Sequence, residues 1–168
     1  MATPDPRPSS PLDGIVLIAY DGSANADHAI DAAAQLLGGG KAEVVHAWEP
    51  VSSAAARSAI YAIAYDDSGV MLERERQQAA AVADAGVARA RAAGFEATGG
   101  ALSGSGPLWQ TIVERAEALH PRLIVMGTRG LTGVRSALAG SVSHHVASHS
   151  DVPVLTVPLG DDRSRSAG

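Results

Sequence analysis

"RLIVMGTRGLTGVRSALAGSVSHH", residues 122–145, is the stretch on which the fold of this chain turns. After Arg122 it runs through an apolar segment to Gly127, the pattern of a strand buried on both faces. Glycines follow at 130, 133 and 140, and Gly140-Ser141 then opens a segment predicted to be helical over 141–148. A buried strand, a glycine-rich turn and a helix N-terminus in succession bring backbone N–H groups to an anion such as phosphate. The lysine of a P-loop is missing, so a different kind of cradle is implied.

Working outward, the same alternation repeats along the chain. "GIVLIAY" (14–20) is a second doubly buried strand. Ser23 is placed to cap a helix whose apolar positions are Ala26, Ala29, Ile30, Ala33, Leu36 and Leu37, and Gly38–Gly40 stops it. "AEVVHAW" (42–48) is a strand, and 49–69 a long connection. A charged, alanine-rich helix spans about 70 to 93, and "FEATGGAL" (95–102) reads as a weaker strand. Pro107 suits a helix first turn, with Leu108, Ile112, Ala116 and Leu119 as its stripe. "VPVLTVP" (152–158) closes the pattern. Five strands alternating with helices predict an α/β fold with a parallel sheet. Ligands of such sheets sit at the strands' C-terminal ends, where strand order reverses. "YDGS" after the first strand and "GTRG" after the fourth would share a crevice if those strands are neighbours.

Composition bounds the partners. The 168 residues suit one domain, expected over 14–158, between a disordered segment 1–13 and a flexible tail 159–168. Aromatics make up only 4%, so Ala, Val, Leu and Ile must fill the core. Lys+Arg number 13 against 18 Asp+Glu, a net charge of −5 with no clustered cationic face, which argues against nucleic acid as partner. There is no cysteine, hence no disulfide or thiol chemistry. The proline-rich N-terminus has no apolar core of a signal peptide, and no run is long enough to span a membrane. A cytoplasmic location is the expectation.

At the glycine stretch, Gly127 and Gly130 let the backbone approach a ligand without a Cβ, and Gly140-Ser141-Val142-Ser143 presents free N–H groups and hydroxyls. The residues alone leave open an ordinary glycine-rich connection with a serine cap. The spacing G-x2-G-x9-G-S behind "LIVMG", with "IAYDGS" (18–23) and "VASHSDVPVLTVP" (146–158), resembles the universal stress protein family from about residue 14 to 158. That resemblance implies a single-domain three-layer α/β/α sandwich, Rossmann-like and similar to the adenine nucleotide alpha hydrolases. Its five parallel strands would lie in the order 3-2-1-4-5.

The resemblance also implies bound ATP and a homodimer, here expected through residues 152–158. It places Gly127, Gly130, Gly133, Gly140, Ser141 and Ser143 around ribose and phosphates, with Met126, Thr128, Arg129 and Val142 beside them. Asp21 would meet ribose hydroxyls or a Mg²⁺ on the phosphates, flanked by Ala19 and Tyr20. Otherwise Asp21 is a turn residue of Asp-Gly-Ser. Ala47 would read the adenine edge through its backbone. Ala139 departs from the usual leucine, which is expected to loosen packing under the loop.

The chain offers a phosphate cradle and one acid, but no P-loop lysine, Walker-type aspartate or nucleophile elbow. A nucleotide-binding regulatory or stress-response protein is therefore expected, before a slow ATPase or an autophosphorylating or nucleotidyl-transfer enzyme. A cyclic AMP or AMP binder and a ligand-free dimeric interaction protein are the further readings. His145 and His149 stand four apart, a spacing that can bind zinc. Without H-E-x-x-H or a third ligand beyond Asp151, a solvated histidine face is the expectation. His46 reads as a bonded core histidine.

Overall fold

The computed structural model describes residues 14–50, 69–104, 106–128 and 142–158. Within them the chain runs β1 (Val16–Ala19), α1 (Ala24–Leu37), β2 (Gly40–Trp48), α2 (Val70–Ala92), β3 (Phe95–Ser103), α3 (Leu108–Leu119), β4 (Leu123–Gly127), α4 (Val142–His149) and β5 (Val154–Val157). The strands form one sheet in the order β3-β2-β1-β4-β5, every pairing parallel. This is the implied order, and β1 and β4 are neighbours, with Ile18 opposite Val125.

The sheet is buried on both sides, as an apolar β1 requires. Val16, Leu17 and Ile18 have no exposed surface. Val16, Ile18 and Val44 meet Ile30 of α1 and Val87 of α2 on one face. Leu17, Val45 and Ile124 meet Ile112 of α3 and Val146 of α4 on the other. Fully burying a Leu, Ile or Val stabilises by roughly 1.5–3 kcal/mol, so these two layers hold the molecule together. Arg115 of α3 adds a forked pair with Glu43 of β2, at 2.6 and 2.7 Å.

Several boundaries differ from the sequence reading for local reasons. Ser23 caps α1 as expected, its hydroxyl accepting from the Ala26 N–H at 3.1 Å. Gly38 alone ends that helix, left-handed at φ 72° with its N–H on the Ala34 carbonyl, so Gly40 already belongs to β2. Leu36 lies off the buried stripe, 68% exposed. Pro107 is extended (ψ 151°) and flanks α3 rather than starting its first turn. The last strand is shorter than 152–158: Pro153 has no N–H to give to the ladder, although its carbonyl accepts from the Ile124 N–H of β4. Gly86, in the middle of α2, has a packing reason: a Cβ there would stand 2.6 Å from the Tyr20 ring and 2.9 Å from Val44.

Candidate functional site

Strand order reverses between β1 and β4, and the residues leaving those two strands define the crevice. Asp21 stands three residues beyond Ile18, as Thr128 stands three beyond Val125, so register brings them to the same level of adjacent strands.

Each side is built by ordinary hydrogen bonding. Tyr20 continues β1, its N–H on the Val45 carbonyl at 2.9 Å. Its own carbonyl accepts from His46 Nδ1 at 2.9 Å, which puts the imidazole proton on Nδ1. His46 is thus bonded as expected, but half-buried rather than in the core. The Tyr20 ring turns away from the crevice into the core, and its hydroxyl donates to Asp27 at 2.8 Å. Burial first, then the Asp27 hydrogen bond and charge, push the phenol up to about 12. Ring, N–H and carbonyl of Tyr20 are thus all engaged within the fold, so its role is to hold the strand end that leads to Asp21. The Asp21 carboxylate accepts from the Ser23 N–H at 3.0 Å, so the turn role is real and engages one of its two oxygens.

On the β4 side, Thr128 N–H bonds the Val157 carbonyl at 3.0 Å. The same carbonyl accepts from Asn25 Nδ2 at 2.9 Å, in a fully enclosed position. A Cβ on Gly127 would stand 2.8 Å from Asn25 Cγ. Gly127 therefore lacks a side chain because the Asn25 amide crosses there. Sequence reasoning missed Asn25. The available signal was its place four residues before Ala29 and eight before Ala33, on the buried stripe of α1.

Ser143, almost fully enclosed at the start of α4, points its hydroxyl to the Thr128 carbonyl across a long 3.5 Å. The two ends of the glycine stretch thus meet at the start of α4, at the level of Asp21 on the neighbouring strand. Arg129, Gly130, Gly133, Gly140 and Ser141 lie outside the described residues, as does Ala139. Met126 is a core residue on the α3/α4 face, while Ala19 and Ala47 are half-buried at its margin, toward the strand ends.

The model of the universal stress protein family matches residues 14–158. The chain belongs to that family. A universal stress protein of Thermus aquaticus, described as lying in the QAH/OAS sulfhydrylase 3' region, is 36% identical over 150 residues, 84% of this chain and 96% of its own. Among solved structures, hypothetical protein MJ0577 superposes with a TM-score of 0.69 at 20% identity, covering 89% of this chain and 98% of its own. A universal stress protein solved in complex with cAMP superposes with a TM-score of 0.62 at 25% identity, covering 86% and 96%. Among the described residues no helix is long and apolar enough to cross a membrane.

Proposed function

We propose that this universal stress protein binds an adenine nucleotide between Asp21 and the 127–143 stretch and acts as a regulatory dimer, not as a fast enzyme. One observation carries the reading: the strand end at Thr128 and the helix start at Ser143 meet at the sheet's switch point. That sets the N-terminal, positive-dipole end of an eight-residue helix beside the crevice, a suitable neighbour for phosphate. The cAMP complex of a family member supports the ligand class.

ATP is the proposed ligand, since the chain keeps the whole G-x2-G-x9-G-S spacing. The Asp21 oxygen not used by the turn suits a water-mediated contact to Mg²⁺ on the phosphates. A cradle that holds ground and transition states alike does not accelerate chemistry, so ATP turnover should stay well below about 1 per second. The dimer would form through residues 152–158, where β5 is the edge of the sheet among the described strands. The globular unit is 14–158.

Calorimetry with ATP, AMP and cAMP, on wild type and Gly140→Val, tests the binding mode. A branched side chain in the phosphate space should weaken binding at least about tenfold, or about 1.4 kcal/mol. Unchanged affinity in the variant overturns the cradle.

A further inference from the structure

The histidine pair of α4 is not simply a solvated face. Trp109, in the first turn of α3, stacks on His145 (centroids 5.4 Å, planes 24° apart) and packs at a tilt against His149 (4.6 Å, 31°). The two imidazoles are themselves 5.9 Å apart and tilted by 39°. One indole therefore holds two histidines, one helical turn apart, in defined positions.

The hydrogen bonding of His149 gives that arrangement a chemical direction. Its Nδ1 lies 2.9 Å from the His145 carbonyl. A carbonyl only accepts, so the proton sits on Nδ1, and among the described residues nothing takes up the Nε2 lone pair. An imidazole that donates one N–H to a backbone carbonyl and keeps the other nitrogen bare is the arrangement found in metal-ligating histidines. His149 is exposed and His145 half-buried, so the pair is open to solvent.

The spacing is within reach. With Nε2–metal bonds near 2.0–2.1 Å, two imidazoles on one tetrahedral or octahedral ion have centroids roughly 4.5–5.2 Å apart. The observed 5.9 Å is wider, so the rings would close by less than about 1 Å to share an ion. Stacking explains where the rings are, but stacking alone makes no use of the bare nitrogen.

We infer that His145 and His149 form a two-point site for a first-row transition-metal dication of the zinc, nickel and copper class, with Trp109 as the wall that orients both rings. Imidazole nitrogen selects that class over magnesium or calcium, which take oxygen ligands. Among the described residues no group of three or more His, Cys, Asp or Glu converges on a metal. Water therefore fills the remaining positions, and the site exchanges its ion with solvent. An ion bridging one turn of α4 stiffens the short helix that carries Ser143.

Trp109 supplies the assay. The chain has two tryptophans, so Trp48→Phe leaves Trp109 as the sole indole. Copper chloride is titrated into the tag-free full chain carrying that change, and indole fluorescence is followed. Saturable quenching at one equivalent is expected, with zinc chloride restoring the signal by competition. His149→Gln should shift the midpoint at least about tenfold, and His28→Gln, on exposed α1 surface, should not move it. Should His149→Gln lose its far-ultraviolet helix signal, His145→Gln makes the same comparison. Quenching that does not saturate by about 1 mM copper, a range outside useful affinity, or that is unmoved by the decisive histidine variant, overturns the site.

Discussion

Gly127→Ala tests whether Gly127 and Asn25 form one unit. Gly127 is not among the positive-φ glycines, so its backbone would accept alanine and the objection is one of space. The new Cβ would stand 2.8 Å from Asn25 Cγ and 2.9 Å from Oδ1, closer than real contacts allow. The amide must swing off the Val157 carbonyl. Overpacking of this kind costs about 1–3 kcal/mol. Asn25→Ala loses the same hydrogen bond, worth about 0.5–1.5 kcal/mol net, while Thr128 still serves the carbonyl. In the double variant the amide is gone and the tightest remaining neighbour is the Asn25 backbone carbon at 3.2 Å, which a small shift relieves. The double variant should therefore be less destabilised than the sum of the singles by about 1 kcal/mol, beyond the roughly 0.5 kcal/mol scatter of independent sites. Urea unfolding of the four proteins measures this directly, and each kcal/mol should also move Tm by about 2–4 °C. Additive effects, or a neutral Gly127→Ala, would refute the reasoning.

Gly86→Ala should destabilise the protein in the same assay, although alanine gains about 1 kcal/mol in helix propensity. Tyr20 and the fully buried Val44 leave the methyl no room, and a more stable variant would contradict that packing. Tyr20 keeps its proton to about pH 12 in the folded state, against an ordinary 10. Between those values the folded state binds more protons than the unfolded one, so stability falls as pH rises through about 10 to 12. Tyr20→Phe should flatten that slope, and an unchanged slope counts against the assignment. On β5, Leu155 packs toward the α1/α2 layer and Val154 toward α3/α4, so arginine at each probes one face of the proposed dimer seam. Light scattering that finds both variants dimeric, or the wild type monomeric, displaces the interface.

Much of this architecture is written in the residues themselves. The apolar runs of β1 and β4 announce strands covered on both sides, and both are covered. Ser23 and Gly38 mark the ends of α1 because cap chemistry is local. Strand order is not local, and it entered through the family resemblance, as did the roles given to Asp21 and Ala47. Tyr20 shows what a linear reading loses: it stands beside Asp21 in sequence, yet its ring leaves the crevice for Gly86 and Asp27. Asn25 shows the complement, since its partner lies 132 residues away and no spacing rule connects them. The Trp109 stack likewise joins two helices, and the four-residue histidine spacing points to only half of it.

The double claim on the Val157 carbonyl also bears on synthesis. Asn25 leaves the ribosome 132 residues ahead of Val157, which belongs to the last of the described strands. Until that strand arrives, a buried amide lacks its acceptor and Thr128 lacks its anchor. A nascent chain halted before β5 could assemble β1, β2 and β3 with their helices, yet would present an unfinished crevice. Completion of the crevice therefore waits for β5, which follows every other described strand along the chain.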